Sequence, residues 1–268
     1  MLLVCVLDKI GTFGMLRFCL GLFPEASDWA TPLVVVLALI SIVYGAFVAI
    51  GQDDILRLIG LTSLSHFGFI TLGIFVFTNQ GANGSILYMV NHGIATAALF
   101  LIAGFLIKRR GTTLISQMGG LEKVTPVTAG LFLVAALATA GLPGLSQFVS
   151  EILVLISAFD YRWYVGAVAV TGIVLAAIYM LWAYQRMFTG PNDAALDAEV
   201  SAGGDGVADL GRREIGVLAP LMLALVLFGF YPAPLLDVAN PFSEQLLHHT
   251  GVKDDGPRVP AEAQGGDQ

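Results

Sequence analysis

Residues 136–159 read ALATAGLPGLSQFVSEILVLISAF, a long apolar stretch that is interrupted near its start. Gly141, Pro143 and Gly144 form the interruption: proline removes a backbone donor and clashes with the preceding turn, and glycine destabilises a helix interior. Glu151 follows two turns later and places a carboxylate among residues suited to a hydrocarbon environment. The stretch therefore predicts a discontinuous helix with an acid beside the break.

The composition of the whole chain explains why an apolar environment is expected. Of its 268 residues, 56% are hydrophobic and only 12% are charged, and the mean hydropathy is +0.81. Soluble domains carry about 25% charged residues. The chain is therefore predicted to be an integral membrane protein, with the lipid bilayer as its environment. Its net charge of −7 argues against a nucleic-acid partner.

Seven apolar segments are long enough to cross a bilayer, for which a helix needs roughly 20 residues. Six are regular and lie at about 1–20, 32–51, 58–78, 85–107, 164–187 and 215–231. The seventh, 126–158, would be about 50 Å long as one straight helix, against a hydrocarbon core of ~30 Å. It is either two short spans or one span that is broken and offset.

The basic residues favour the single broken span. With one span at 126–158, eight basic residues fall on one side of the membrane and two, Arg17 and Arg162, on the other, whereas two spans would divide them six to four. The positive-inside rule favours the uneven arrangement, with the 108–125 and 188–213 loops cytoplasmic and the C-terminus outside. The eight residues are Arg57, Lys108, Arg109, Arg110, Lys123, Arg186, Arg212 and Arg213.

The predicted fold is therefore all-α, a polytopic membrane helix bundle of about seven spans, one of them broken. The transmembrane domain is expected to cover residues 1–236. The segment 237–268 is rich in Asp, Glu, Gly and Pro. Such a composition predicts a polar, disordered tail.

Four ionisable residues lie inside predicted spans, where Arg, Lys or Asp costs about 2.5–3.5 kcal/mol at a helix centre and usually has a function. The first is Lys9, which lies next to Asp8 and one turn before Thr12. Its alternative roles are a structural ion pair with Asp8 or an extended side chain that reaches the membrane surface. Because adjacent residues point apart on a helix, a direct pair with Asp8 is not expected.

His66 and His92 lie on successive spans, each near hydroxyl groups. His66 follows Thr62 and Ser63 by one turn, and His92 has a hydroxyl residue four positions to either side. Imidazole titrates near neutrality and can relay protons, so the pair predicts two links in a proton path through the bundle. The alternative is that each is a hydrogen-bonded core residue. Neither has the spacing of metal ligands.

Glu151 and the break beside it are expected to belong to one polar pathway. The backbone groups that Pro143 frees need water or protein partners, because lipid offers none. Discontinuous helices recur at the ion sites of transporters. The alternative is a proline kink beside a glutamate that is paired for packing.

An ordered series of motifs resembles one family. The motifs are LDKIGTFGMLRF at 7–18, LFPEAS at 22–27, AIGQDDILRLIGLTSLSHFGF at 49–69, LYMVNHG at 87–93, GGLEK at 119–123 and GLPGLSQFVSE at 141–151. They closely resemble the antiporter-like, proton-translocating family of respiratory complex I (NADH-quinone oxidoreductase), and within it subunit M. The resemblance implies that Lys9 serves the central proton pathway, that His66 and His92 connect it laterally, and that Glu151 is the protonatable group on the outlet side.

The resemblance also implies partners and cofactors. NADH, FMN, iron–sulfur clusters and quinone are expected in partner subunits, with no cofactor or metal in this chain, so the chain takes part in an enzyme only as a non-redox subunit of a translocase. The expected partners are other membrane subunits of complex I, and the expected location is the bacterial inner membrane. Full-length members have fourteen spans and this chain resembles the last seven, so a separate N-terminal half is a further expected partner.

One departure and two other interpretations stay open. Leu56, in DILRL, stands where the family has a basic residue. The chain is alternatively a subunit of a multisubunit cation/proton antiporter, whose large subunits share the fold. A third interpretation is a degenerate copy with a purely structural role. The retention of four ionisable residues argues against it: Lys9, His66, His92 and Glu151.

Overall fold

The computed structural model describes residues 1–190 and 207–251, and every regular element named in these ranges is a helix. The first helix, α1, has three consecutive segments: π-helical Leu3–Leu7, α-helical Asp8–Gly14 and π-helical Met15–Leu20. The others are α2 (Pro24–Ile50), α3 (Ile55–Phe75), α4 (Asn79–Arg110), α5 (Pro126–Thr139), α6 (Ser146–Tyr161), α7 (Trp163–Phe188), α8 (Arg212–Phe230) and α9 (Ala233–Thr250), with short 3₁₀ turns at Ile115–Gln117 and Leu121–Lys123.

The predicted all-α membrane bundle is confirmed. Five helices, α2, α3, α4, α7 and α8, are each long and apolar enough to cross a membrane. The segmented α1 and the pair α5–α6 correspond in sequence to the other two predicted spans, and α5 is a shorter apolar helix. α4 lies at the centre of the bundle, where it packs against α1, α3, α5, α6, α8 and α9.

Local sequence sets the ends of the central helices. The Asp54 side chain accepts a hydrogen bond of 2.9 Å from the Arg57 N–H at the start of α3. The Thr78 hydroxyl accepts one of 3.0 Å from the Gly81 N–H at the start of α4. Each cap satisfies a backbone donor that has no partner within its own helix.

The helix that is broken in the sequence is also broken in the structure. α5 ends in a Schellman motif: Gly141 has a φ of +71°, the Leu142 N–H donates to the Leu137 oxygen at 3.0 Å, and the Gly141 N–H donates to the Ala138 oxygen at 3.2 Å. Gly144, with a φ of +91°, turns the chain into α6. α5 and α6 follow one another end to end and make few contacts with each other.

One end of the bundle carries most of the basic side chains. Arg186 forms an ion pair with Asp53, and Arg109 forms one with Glu214 at 2.5 Å. Asp209 accepts hydrogen bonds from the start of α5 at Thr128. The chain thus enters α5 at this end and leaves α7 at the same end, so α5–α6 and α7 each cross the bundle once. This geometry supports the single broken span.

The loop at this end is held together by charged hydrogen bonds. The Ser116 hydroxyl donates to Asp53 at 2.6 Å and the Ser116 N–H donates at 3.0 Å. Partial burial alone would raise the pKa of Asp53, but the hydrogen bonds from Ser116 and Arg186 outweigh it and hold the pKa below its ordinary value. The carboxylate therefore stays ionised and joins the α2–α3 connection to the 111–117 segment and to α7.

The orientation of the bundle stays a prediction. With the basic end cytoplasmic, a cysteine at Thr112 should react with a membrane-impermeant maleimide only in inverted vesicles or opened cells. A cysteine at Ala26, which is exposed at the opposite end of α2, should react in intact cells. Both would be made after replacing Cys5 and Cys19 by serine. Labelling of position 112 in intact cells and of position 26 only in inverted vesicles would show that the bundle has the opposite orientation.

The predicted disorder of the tail from residue 237 is wrong for its first part. α9 extends to Thr250, buries Leu246 and Leu247, and joins α4 through a hydrogen bond of 2.6 Å between Asn240 and Asn83. Although this segment is polar, its few apolar residues recur at helical spacing and form one face. Residues 252–268 lie outside the described residues.

Candidate functional site

A line of polar side chains runs through the interior of the bundle. Four of its members were predicted: Lys9 from α1, His66 from α3, His92 from α4 and Glu151 from α6. The two imidazoles and the carboxyl group are at most 2% exposed. The line extends from Lys9 at one end to Glu151 at the other.

Lys9 is held at the first end of this line by three groups. Its ammonium nitrogen lies 2.6 Å from the Val4 carbonyl oxygen, 2.8 Å from His92 Nδ1 and 2.9 Å from Asp8 Oδ1. It also lies 5.0 Å from the centre of the Phe67 ring. The expectation that Lys9 and Asp8 would not pair directly is wrong. The long lysine side chain folds back along its own helix toward the Val4 carbonyl, which brings its ammonium group to the neighbouring carboxylate.

A close approach of α1 to α4 brings Lys9 to His92. Gly93, next to His92, faces the α1 backbone, and a Cβ there would lie 2.9 Å from the Cys5 carbonyl oxygen. Thr12 adds a second contact between the helices, because its hydroxyl donates to the Met89 sulfur at 2.7 Å. The absence of a side chain at position 93 therefore allows the lysine to reach the imidazole.

The two histidines lie side by side. Their ring centres are 5.3 Å apart, with 53° between the ring planes. His92 Nε2 lies 3.3 Å from the Thr96 hydroxyl, as its spacing predicts. The two rings share no direct hydrogen bond within the described structure, so a proton would need a water molecule or a ring rotation to pass between them.

The hydroxyls that precede His66 do not serve it. Thr62 and Ser63 both donate to the Ile59 carbonyl oxygen in their own helix, at 2.8 and 3.3 Å. Short hydroxyl side chains commonly bond the carbonyl one turn back in this way. The hydrogen-bond partners of the His66 imidazole come instead from other helices.

Tyr88 joins His66 to Glu151. His66 Nδ1 lies 2.6 Å from the Tyr88 hydroxyl, and that hydroxyl donates to Glu151 Oε1 at 2.8 Å. The direct distance from His66 Nδ1 to Glu151 Oε1 is 3.9 Å, so the phenol oxygen is the shorter route. Tyr88 is four residues before His92 on α4 and thus on the same face, but it serves the other histidine.

Two further side chains complete the surroundings of His66. Gln147 Nε2 lies 3.0 Å from His66 Nδ1 and 3.2 Å from the Tyr88 hydroxyl, and the Tyr179 hydroxyl lies 3.2 Å from His66 Nε2. Sequence reasoning missed both residues. Gln147 is four positions before Glu151, and that spacing on one helix face could have identified it. Tyr179 comes from α7 by tertiary packing, for which the sequence has no local signal.

The break positions the acid. Glu151 Oε2 lies so close to Gly141 that a Cβ at that residue would overlap it. Glu151 Oε2, Gln147 Oε1 and Asn91 Oδ1 are buried without a hydrogen-bond partner in the described part of the chain. Buried polar atoms of this kind are normally satisfied by protein or by ordered water. The region beside the break therefore gathers three buried acceptor oxygens from three side chains.

The described residues contain no group of three or more His, Cys, Asp or Glu side chains that could hold a metal ion. The cations and acids of the site lie in a line and are not gathered around one point. This arrangement suits transfer along a path.

Comparison with known proteins identifies the family. A family model described as "NADH:quinone oxidoreductase/Mrp antiporter, TM" matches residues 1–176. The chain belongs to this family. NADH-quinone oxidoreductase subunit M of Mycobacterium tuberculosis is 53% identical over 258 residues, which are 96% of this chain and 45% of that protein.

Solved structures of the antiporter family agree. A chain of respiratory complex I from Thermus thermophilus with bound NADH is 35% identical with a TM-score of 0.84, over 92% of this chain and 50% of that chain. A chain of the Mrp complex from Dietzia sp. is 25% identical with a TM-score of 0.76, over 90% and 53%. This chain spans about half the length of the relatives it matches. The resemblance to complex I subunit M is confirmed.

The departure at position 56 lies at the basic end of the bundle. Leu56 is in the first turn of α3 and is 38% exposed, next to Arg57. It is distant in sequence and in depth from Lys9, His66, His92 and Glu151, which lie in the middle of the spans. The departure therefore leaves the interior line of polar groups intact.

Proposed function

We propose that this chain conducts protons within a membrane subunit of a proton-translocating NADH:quinone oxidoreductase. One observation carries the proposal: the buried line Lys9–His92–His66–Tyr88–Glu151, in which every neighbouring pair but the two histidines is within hydrogen-bond distance. Groups that are costly to bury and are connected to one another, inside a membrane bundle, are typical of a proton relay.

The link from His66 to Glu151 accounts for one transferred proton. With Glu151 ionised, the Tyr88 hydroxyl donates to Oε1, and the phenol oxygen accepts from His66 Nδ1–H. A proton that arrives at His66 Nε2 makes the ring an imidazolium. The Nδ1 proton then passes to the Tyr88 oxygen while the Tyr88 proton passes to Glu151, which becomes neutral, and His66 is left as the neutral Nε2–H tautomer.

Gln147 supports this exchange from the side. When His66 Nδ1 carries a proton, the Gln147 carbonyl oxygen can accept from it. When Nδ1 is bare, the Gln147 amide nitrogen, now 3.0 Å away, can donate to it. The amide thus has a suitable group for each proton position, and a half-turn of the amide accompanies the transfer.

Lys9 loads the other end of the path. Its ammonium group and His92 Nδ1 are 2.8 Å apart, so a proton on one changes the electrostatic energy of a proton on the other. Asp8 Oδ1 lies 2.9 Å from the same ammonium nitrogen, so the charge of Asp8 also acts on the proton of Lys9. Movement of charge at one end of the line is thereby coupled to release at Glu151.

We also propose the setting of the chain. The similarity to complex I subunits supports a place beside other membrane subunits of that complex, in the bacterial inner membrane, with NADH, FMN, iron–sulfur clusters and quinone in partner subunits. The outward faces of α1 and α2 are apolar, with Ile10, Val36 and Phe47 all more than half exposed. These faces suit lipid or the helices of an N-terminal half of the fold.

Tyr88→Phe tests the relay. The variant keeps the ring, which stacks on Phe69, and removes only the hydroxyl between His66 and Glu151. Proton uptake per quinone reduced, measured in vesicles with the assembled complex, should fall strongly, because a positioned acid–base group contributes about 10²–10⁴-fold to the rate of proton transfer. Tyr179→Phe is the matched comparison, because its hydroxyl contacts His66 Nε2 and not the Nδ1 side from which the proton passes to Glu151, so it should lose less.

Redox activity separates conduction from assembly. NADH:quinone reduction in the presence of an uncoupling ionophore should be unchanged in Tyr88→Phe. Equal losses in the two phenylalanine variants, or full proton uptake in Tyr88→Phe, would contradict the route through Tyr88.

A further inference from the structure

Two cavities adjoin on the surface opposite the basic loops, and Phe242 lines both. The first has a volume of about 490 Å³ and lies between the ends of α1 and α9; its lining includes Arg17, Phe18, Leu22, Gln245, His248 and His249. The second has a volume of about 340 Å³ between α1, α4 and α9, and its lining is apolar, including Phe13, Leu16, Leu87, Val90, Leu235 and Val238. No acidic side chain of the described residues lines either cavity.

The two cavities lie at different depths in the membrane. Lys9 is near mid-depth, beside His92 at the middle of α4, and Arg17 is two turns further along α1. At about 1.5 Å per residue Arg17 is ~12 Å from Lys9, close to the edge of a hydrocarbon core whose half-thickness is about 15 Å. Phe13 is one turn deeper. The polar cavity is therefore at the level of lipid headgroups, and the apolar cavity is at the level of acyl chains.

Arg17 supplies the positive charge of the polar cavity. It forms no hydrogen bond or ion pair within the described residues. The negative ends of the helices around it are already engaged: the His249 Nε2–H donates to the Gly21 oxygen at 3.0 Å, and the Ser27 hydroxyl donates to the Cys19 oxygen at 2.9 Å. The guanidinium is thus left available for an anion, and its planar donors suit a phosphate.

We propose that the two cavities form one binding site for an anionic phospholipid of the leaflet at this end of the bundle. The phosphodiester binds Arg17, the headgroup lies against His248, and one acyl chain passes Phe242 into the apolar cavity. A free phosphate would use only the polar cavity and leave the apolar one without an occupant. The groove formed by the two cavities is open on its outward side, where Val238 is 78% exposed.

A photoreactive phosphatidylglycerol, with its reactive group on an acyl chain, tests the site in nanodiscs that hold the assembled complex. Mass spectrometry should find the label on the peptides of α1 and α9 that line the groove. Arg17→Gln should lower labelling about fivefold, as expected for one basic side chain near a membrane surface. Arg162→Gln, an exposed arginine at the same end of the bundle and outside the cavities, should leave it unchanged.

Further variants and a competition experiment complete the test. Val90→Trp fills the apolar cavity without touching Arg17 and should abolish labelling, and Arg17→Lys should restore most of it. If the complex with Arg17→Gln does not assemble, the site is tested in the unaltered complex, by adding inorganic phosphate to compete with the photoreactive lipid. Suppression by excess inorganic phosphate would indicate a free-phosphate site. Equal labelling by a photoreactive phosphatidylcholine, or capture of a neighbouring protein helix by the groove, would also overturn the proposal.

Discussion

Glu151→Gln is expected to abolish most proton translocation by the assembled complex while leaving the complex intact. Glutamine keeps the volume of the side chain and can still accept from the Tyr88 hydroxyl through its carbonyl oxygen. It cannot gain or lose a proton near neutral pH. Proton uptake per quinone reduced should therefore fall strongly, because a positioned proton-transferring group contributes about 10²–10⁴-fold to the rate of proton transfer.

Glu151→Lys distinguishes a proton carrier from a structural acid. A buried lysine can also exchange a proton, because desolvation disfavours its charged form. A carrier position should therefore tolerate Lys better than Gln. A glutamate retained only for packing and hydrogen bonding should show the opposite order, with Gln mild and the reversed charge severe.

The measurement is proton uptake in reconstituted vesicles, normalised to quinone-reductase activity and to the amount of this subunit. Glu244→Gln is the matched control, since Glu244 is an exposed acid on α9, away from the interior line. Full translocation by Glu151→Gln would end the carrier interpretation, and the break at Gly141 would then be only a kink.

The sequence contains enough to predict the outline of this fold. Apolar length and the Gly-Leu-Pro-Gly interruption at 141–144 predict the spans and the break, because backbone geometry and the bilayer leave few alternatives. The uneven distribution of basic residues predicts which loops meet, and contacts such as Arg186 with Asp53 bring those loops to one end. Isolated polar residues in apolar spans likewise indicate a site, because burying them is costly.

What the sequence does not contain is the pairing of side chains between helices. Whether Tyr88 serves His92 or His66 depends on how α3, α4 and α6 rotate against one another, and the local spacing favours the wrong partner. Tyr179 enters from α7 for the same reason. The direct Lys9–Asp8 pair depends on the lysine side chain folding back along α1, which the usual directions of adjacent side chains on a helix do not predict.

Gly141→Ala is expected to damage both stability and proton transfer, because two costs meet at this residue. Its φ of +71° disfavours any side chain, at about 1–2 kcal/mol. A Cβ there would also overlap Glu151 Oε2 and would lie 2.9 Å from Glu151 Cδ, so the carboxyl group must move away from Tyr88. Overpacking of this kind adds typically about 1–3 kcal/mol.

Gly111 offers a matched control for the backbone cost. It also ends a helix with a positive φ, +69°, but a Cβ there would meet nothing within 4 Å. Gly111→Ala should therefore lose only the stability that the backbone strain costs. The fraction of this subunit that stays assembled after heating the solubilised complex should fall more for Gly141→Ala than for Gly111→Ala, and only the former should lower proton uptake per quinone.

A double-variant cycle assigns the difference to Glu151. In a Glu151→Ala background, where the carboxyl group is gone, Gly141→Ala should cost about as much as Gly111→Ala, and the two changes should be strongly non-additive, by roughly 0.5–3 kcal/mol. Additive losses would mean that Gly141 and Glu151 act independently. If instead the coupling is present, the glycine that breaks the helix is also the residue that leaves room for the acid, and the interruption in residues 136–159 and the buried carboxyl group form one structural unit.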